Sequence, residues 1–171
     1  MKIQNIFVIG AGTMGNGIAQ VAATSGYDVT CMDVMPAALE KAKATIQKSS
    51  AKLFEKGVIT EEQKESIEKI HFAPDMTHIA EADLVIEAAT ENPELKFKIF
   101  RDMDTHAHAN TILATNTSSI SITKIAAVTK RPEKVIGMHF MNPVPLMKLV
   151  EVIRGLATSD DTMTTTLEVC K

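Results

Sequence analysis

Three glycines near the amino terminus have the spacing that suits a bound dinucleotide. The segment Gly10-Ala11-Gly12-Thr13-Met14-Gly15 follows the apolar run 6–9 and precedes a helical apolar pattern. In such a segment the first glycine permits a tight turn, the second lets the backbone approach a pyrophosphate, and the third lets the helix pack on the strand. The amino end of the helix favours the negative phosphates. We predict that residues 10–15 bind a dinucleotide; a tight turn without a ligand is the alternative.

A carboxylate follows at Asp33, where the second apolar run ends. At this position it can accept hydrogen bonds from the adenosine ribose hydroxyls and would repel a 2′-phosphate. Neither Val34 nor Met35 supplies the positive charge that a 2′-phosphate needs. The sequence therefore predicts NAD rather than NADP. The alternative for Asp33 is a turn residue at the end of a strand.

A histidine and a glutamate stand twelve residues apart in the second half of the chain. His139 follows the apolar run 135–138 and precedes Asn142-Pro143-Val144-Pro145, and Glu151 interrupts the apolar run 149–153. A carboxylate left unpaired within such a strand is costly, so we expect His139 to be its partner. A histidine whose tautomer is fixed by a carboxylate can act as a general base. A buried ion pair without a catalytic role is the alternative.

Two further polar segments follow buried runs. Glu87 and Glu91, with Lys96 after them, follow the run 84–86, and Thr115-Asn116-Thr117-Ser118-Ser119 follows the run 112–114. Ligands of open α/β sheets bind at the carboxyl ends of the strands, which makes both segments candidates. The alternatives are a solvated first helical turn for Glu91 and Lys96, and a helix N-cap for the second segment.

These candidates need a sheet to position them, and the apolar periodicity predicts one. Short apolar runs alternate with helical patterns, which is typical of a parallel sheet. We predict strands over 6–9, 28–33, 84–86, 112–114, 134–140 and 148–153, and helices from the glycine loop to Gly26 and over 36–56, 60–69, 93–106, 121–127 and 159–171. The fold class is therefore α/β, with a Rossmann-type, doubly wound, mostly parallel sheet forming one domain over residues 1–171. Residues 36–69 form a helical hairpin inserted after the second strand, which we expect to project from the sheet and contact a ligand.

Composition excludes several other classes of protein. The chain has 171 residues with 45% hydrophobic and 23% charged content, as in ordinary globular domains. Its net charge is −3, with 18 basic and 21 acidic residues and no basic run, so we expect no nucleic-acid partner. Its apolar runs are far shorter than the roughly 20 residues that span a bilayer, and the amino terminus reads as a strand, so we expect a cytoplasmic protein with no membrane partner.

Cysteine and histidine spacing gives no metal or redox motif. Cys31 and Cys170 lie far apart without C-x-x-C spacing, and we expect both to be small buried residues in a reducing compartment. The histidines at positions 106 and 108 point apart on a helix. We therefore predict that the protein has no metal site.

The segments named above resemble the L-3-hydroxyacyl-CoA dehydrogenases, and within them the bacterial-type 3-hydroxybutyryl-CoA dehydrogenases, over the whole chain. The resemblance rests on residues 10–15, Asp33, 87–92 and 116–119. Its most specific parts are H-F-M-N-P-V-P at 139–145 and L-V-E-V at 149–152. It implies oxidation of an L-3-hydroxyacyl-CoA to the 3-ketoacyl-CoA with hydride transfer to NAD, or the reverse reduction.

The resemblance also implies roles for individual residues. His139 would take the hydroxyl proton, Glu151 would orient His139, and Ser118 and Asn142 would hold the reacting oxygen and the nicotinamide end of the cofactor. Glu91, Lys96 and Asn116 would complete the cofactor site, and the substrate's coenzyme A would lie against Ser49 and Lys56 of the hairpin and against Ser118. Lys52 would add a second phosphate contact, or be simply solvated.

Members of this family continue beyond the length of this chain into a helical domain that closes the cleft and carries a homodimer interface. From the resemblance we therefore expect a homodimer for a full-length protein, and we expect this chain to bind NAD but to turn substrate over slowly, if at all. Two other functions remain open. One is a non-catalytic NAD-binding module, and the other is a 3-hydroxyacid dehydrogenase that acts on free acids with a lysine base on a later helix. The residues at 139–145 and the hairpin favour a thioester.

Overall fold

A computed structural model describes residues 2–117 and 119–171 of the chain. The strands are β1 (Asn5–Ile9), β2 (Asp28–Met32), β3 (His71–Ala73), β4 (Leu84–Glu87), β5 (Ile112–Thr115), β6 (Val135–Phe140) and β7 (Val150–Arg154). The helices are α1 (Thr13–Thr24), α2 (Pro36–Glu55), α3 (Glu61–Glu68), α4 (Pro93–His106), α5 (Ile122–Ala127) and α6 (Asp160–Val169), with short 3₁₀ turns at Ile79–Glu81 and Pro132–Lys134.

The strands form one sheet in the order β3-β2-β1-β4-β5-β6-β7. Neighbouring strands are parallel except for β7, which runs antiparallel to β6 at the edge. This confirms the predicted Rossmann-type, mostly parallel sheet. The order reverses between β1 and β4, and ligands of such sheets bind outside the carboxyl ends of the strands at that point.

Helices cover both faces of the inner strands, whose successive side chains point to opposite sides. On one face Ile6 and Val8 pack in a core that includes Ile18 of α1. On the other, Phe7 and Ile9 pack in a core that includes Phe100 of α4. Burial on both sides explains why the inner strands read as continuous apolar runs rather than as alternating ones.

Most predicted elements occur within one or two residues of their expected bounds, and α4 begins and ends as predicted. The prediction missed β3, since three residues are too few to show a period. It also began the last strand two residues early, because Lys148 and Leu149 lie outside β7.

The helical hairpin forms as predicted and packs against the first helix of the fold. Its capping box is present, with the Gln63 N–H donating to Thr60 Oγ1 at 3.1 Å and the Thr60 N–H donating to Gln63 Oε1 at 2.9 Å. Both α2 and α3 pack against α1, and the expected contact of the hairpin with a ligand stays a prediction. Gln20 Nε2 of α1 donates to Ser49 Oγ at 2.9 Å, and Ile46 of α2 is buried in the core.

Within residues 2–117 and 119–171 no helix is both long and apolar enough to cross a membrane. The same residues contain no group of three or more His, Cys, Asp or Glu side chains placed to hold a metal ion. Cys31 is buried as predicted, whereas Cys170 is only half-buried because it follows α6 near the surface.

Candidate functional site

The glycine loop connects β1 to α1, and two of its glycines have no room for a side chain. Gly10 has φ +101°, and a Cβ there would lie 2.8 Å from the carbonyl oxygen of Ala88. A Cβ on Gly15 would lie 1.6 Å from the carbonyl oxygen of Gly10. The first and third glycines are therefore required by the packing of the loop, as the motif predicts.

The second glycine serves a different purpose, because it leaves the amino end of α1 open. Gly12 is exposed, and a Cβ there would meet no protein atom within 4 Å. It is also the N-cap of α1 and has no side chain to cap the first N–H groups, and the first turn carries no acidic residue. Free N–H donors and the positive end of the helix dipole fit the pyrophosphate of a dinucleotide.

Asp33 joins the glycine loop to the end of β2. Its Oδ2 accepts a hydrogen bond from the Ala11 N–H and its Oδ1 accepts one from the Met35 N–H, both at 2.9 Å. Because each carboxylate oxygen can accept more than one hydrogen bond, both oxygens keep capacity for ribose hydroxyls. The turn role and the ribose role predicted for this residue are therefore compatible.

A closed polar network lies beneath the loop that follows β4. The side chains of Lys96 and Glu87 are both 0% exposed, with Nζ 2.7 Å from Oε1. Thr115 Oγ1 donates to the same Oε1 at 2.8 Å and accepts from Lys96 Nζ at 3.2 Å. The alternative of a solvated first turn is thus wrong for Lys96, which occupies the buried face of α4 together with Phe100 and Met103.

Glu91 and Asn116 make contacts across the same sheet edge. Glu91 is exposed, and its Oε2 accepts from Thr117 Oγ1 at 2.9 Å and from Ser119 Oγ at 3.1 Å. Asn116 is buried, and its Oδ1 accepts from the Phe140 N–H at 2.8 Å. The Glu91 contacts join the loops after β4 and β5, and the Asn116 contact joins the second of these to β6. Ser118 lies outside the described residues.

His139 and Glu151 face each other directly across β6 and β7. His139 Nδ1 lies 3.4 Å from Glu151 Oε1, and the two side chains are 26% and 54% exposed. The expected contact is therefore present, but the burial argument that led to it is wrong. Strand β7 lies at the edge of the sheet, where solvent reaches Glu151.

The turn after β6 packs against α1. Val144 is buried, and a Cβ on Gly17 would lie 2.8 Å from Val144 Cβ. This close approach brings the exposed Asn142 and the His139 strand end to the helix that follows the glycine loop. Gly17 is not among the predicted site residues, although a fourth glycine two residues after Gly15 is a sequence sign of close packing.

The predicted substrate residues lie along α2. Ser49 is half-buried and engaged by Gln20, as described above. Lys52 and Lys56 are exposed, one in the last turn of the helix and the other at its C-cap. They stand one helical turn apart, so their ammonium groups can approach a common anion.

Known proteins resemble this chain in sequence and in structure. Residues 5–171 match the family described as 3-hydroxyacyl-CoA dehydrogenase, NAD binding domain. A probable 3-hydroxybutyryl-CoA dehydrogenase of Bacillus subtilis is 53% identical over 163 residues, which cover 95% of this chain and 57% of that protein. The 3-hydroxyadipyl-CoA dehydrogenase of Escherichia coli is 46% identical over 160 residues, which cover 93% of this chain and 34% of that protein.

The crystal structure of an (S)-3-hydroxybutyryl-CoA dehydrogenase from Ralstonia eutropha matches with a TM-score of 0.94 and 48% identity, over 99% of this chain and 60% of that one. This chain therefore spans a little over half the length of the B. subtilis and R. eutropha proteins. The glycine loop, Asp33 and the matched family agree on NAD as the cofactor. The chain belongs to the 3-hydroxyacyl-CoA dehydrogenase family, and residues 5–171 match its NAD-binding domain.

Proposed function

We propose that this chain is the cofactor-binding part of an oxidoreductase that interconverts an L-3-hydroxyacyl-CoA and the 3-ketoacyl-CoA with NAD(H), and that 3-hydroxybutyryl-CoA is the substrate. The observation that carries the proposal is the His139–Glu151 pair, which stands at the carboxyl edge of the sheet. The turn after His139 packs on the helix that follows the glycine loop. This arrangement supports a role for His139 as a base beside the cofactor site.

The chemistry of the pair suits proton transfer. Glu151 accepts from Nδ1 and so leaves Nε2 of His139 as the nitrogen that takes the substrate hydroxyl proton. The 3.4 Å separation is long for a hydrogen bond, and such bonds commonly tighten when substrate binds. NAD, when bound, accepts the hydride from the same carbon. Asn142 and Ser118 supply donors to the reacting oxygen, as the family resemblance implies.

The remaining positions divide between cofactor and substrate. Gly12 and the amino end of α1 hold the pyrophosphate, Asp33 holds the adenosine ribose, and Glu91 and Asn116 border the nicotinamide end. Lys52 and Lys56 supply positive charge for the phosphates of coenzyme A, with Ser49 beside them on α2. We expect Lys56→Ala to raise KM for an acyl-CoA and leave kcat unchanged, whereas Lys48→Ala on the same helix changes neither.

To test this proposal, the 171-residue chain is mixed with NADH and acetoacetyl-CoA, and the loss of NADH absorbance is followed. We expect slow oxidation that requires His139, so that His139→Gln lowers the rate by about 10² to 10⁴ while NADH affinity is kept. His106→Gln, which changes an exposed histidine of α4, is the matched control. An unchanged rate in His139→Gln would contradict the assignment of the base.

A second arm separates thioesters from free acids. Acetoacetate in place of acetoacetyl-CoA should give no oxidation of NADH, and free coenzyme A should compete with acetoacetyl-CoA. Equal rates with acetoacetate would favour a 3-hydroxyacid dehydrogenase. NADH binding without turnover on any of these substrates would favour an NAD-binding module that lacks part of its substrate site.

The homodimer and the cytoplasmic location belong to the same proposal and are predictions for a full-length protein. Sedimentation velocity on a protein of the relatives' length should give a dimer, and fluorescence microscopy of a tagged version should place it in the cytoplasm.

A further inference from the structure

The catalytic steps proposed above do not use the Lys96–Glu87–Thr115 network. Both charged side chains are fully buried, and they form hydrogen bonds to one another and to Thr115. The second carboxylate oxygen of Glu87 accepts a hydrogen bond from the Ala89 N–H at 2.8 Å. The pair therefore also holds the backbone of the loop after β4.

That backbone forms one wall of the glycine loop. The Ala88 N–H donates to the Ile9 carbonyl at 2.8 Å, which continues the pairing of β4 with β1. A Cβ on Gly10 would lie 2.8 Å from both the carbonyl oxygen of Ala88 and the Cα of Ala89. Any shift of residues 88 and 89 toward β1 must therefore move Gly10, and Glu87 fixes residue 89 directly.

We propose that Glu87 is a positioning residue for cofactor binding, which fixes the Ala88–Ala89 backbone against the glycine loop, and that Lys96 acts through Glu87 rather than by touching the ribose. The proposal rests on the proposed function only in assuming that the chain binds NAD. Lys96 is needed because a buried carboxylate without a partner would be too costly to keep beneath the loop. Glu87 is needed because only a hydrogen-bond acceptor at its position can fix the Ala89 N–H.

This role differs from the ribose contact that the family resemblance implies for Lys96, and double variants separate the two. Glu87→Gln/Lys96→Met removes both charges but keeps an acceptor for the Ala89 N–H. Glu87→Met/Lys96→Met removes both charges and the acceptor. Lys96→Met alone leaves the carboxylate unpaired, and Lys98→Met changes an exposed lysine on the same helix as a control.

The measurements are NADH affinity by calorimetry and the midpoint of thermal unfolding for all five proteins, the wild type included. We expect the Gln/Met protein to bind NADH within about threefold of the wild type, and the Met/Met protein to bind about tenfold more weakly although it melts at a similar temperature. Lys96→Met should bind weakly and melt early. If Lys96→Met does not fold, the two double variants carry the comparison.

If the wild type binds NADH, either of two results would overturn the proposal. If the Gln/Met protein binds as weakly as the Met/Met protein, Lys96 itself contacts the cofactor. If both double variants bind as tightly as the wild type, the network has a purely structural role. A wild-type chain that binds no NADH would instead overturn the assignment of the cofactor, and this proposal with it.

Discussion

The carboxyl edge of the sheet carries two pairs of acidic and basic side chains in contrasting surroundings. Lys96 and Glu87 lie 2.7 Å apart with no exposure, enclosed by β4, β5 and α4. His139 and Glu151 lie 3.4 Å apart on the edge strands, and more than half of the glutamate side chain is exposed. The first pair is sealed from solvent, whereas solvent reaches both members of the second.

This difference indicates how the site divides its tasks. In our proposal the buried pair fixes the Ala89 backbone beside the glycine loop. We expect the exposed pair to contribute little to folding, and in the proposed function it moves the substrate proton. A buried ion pair at a strand end thus favours a structural role. A half-exposed pair at the same edge is a candidate for catalysis.

The largest expected effect comes from breaking the buried pair. Lys96→Met leaves the Glu87 carboxylate buried without its partner, so we expect the free energy of unfolding to fall by about 3–5 kcal/mol. Urea denaturation followed by circular dichroism measures the change. Lys98→Met is the control, and a loss below about 1 kcal/mol in Lys96→Met would remove the contrast between the two pairs.

The buried thiol of Cys31 gives an independent measure of the same loss. Burial raises the pKa of this thiol to about 12, with the nearby Asp33 charge adding to the rise. Its thiolate is therefore scarce at pH 8, and labelling requires the chain to open. We expect Lys96→Met to speed Cys31 labelling by roughly 10²-fold to 4 × 10³-fold, in parallel with its lost stability.

The labelling experiment uses a Cys170→Ser background, since Cys170 is only half-buried. Glu151→Gln in that background should label at the unmodified rate. Fast labelling of Cys31 in the otherwise unmodified chain would show that the core around β2 opens without global unfolding.

Removing the charge of Asp33 should change the relative affinity for NADPH and NADH. This effect should be smaller than that of breaking the buried pair. Asp33→Asn keeps an oxygen that can accept from the Ala11 N–H but removes the charge that repels a 2′-phosphate. We expect the affinity for NADPH relative to NADH to rise about tenfold, measured by calorimetry. Asp28→Asn, at the opposite end of β2, should leave the ratio unchanged, and an unchanged ratio in Asp33→Asn would contradict the ribose role.

The smallest structural effect is expected at the exposed pair. Glu151→Gln should change the free energy of unfolding by less than about 1 kcal/mol. In contrast, it should lower kcat for acetoacetyl-CoA reduction about tenfold, since His139 loses the carboxylate that orients it and stabilises its charge. Glu168→Gln on α6 serves as the control. A stability loss as large as that of Lys96→Met would show that the pair is structural.

Much of the fold could be predicted from the sequence because local signals mark its elements. The continuous apolar runs, the glycine loop and the proline at the start of α4 each specify an element by themselves. Strand β3 has only three residues and depends on pairing with β2, so no local pattern reveals it. The docking of the hairpin on α1 likewise depends on tertiary contacts such as that between Gln20 and Ser49.

The sequence predicts which residues lie at the candidate site better than it predicts how buried they are. The apolar neighbours of Glu151 predict that it is buried, but an edge strand exposes such a residue. The sequence does not reveal which strand lies at an edge. For Lys96 the sequence did hold a usable signal. It stands four and seven residues before Phe100 and Met103, the spacing of a single helical face, which indicates a lysine that points inward.

Titration of NADH into the 171-residue chain, followed by calorimetry, tests the central claim most directly. The account predicts one NADH bound per chain, with NADPH bound at least about tenfold more weakly because of Asp33. A folded chain that gives no binding of NADH would contradict the dinucleotide role of the glycine loop, on which the rest of the account depends.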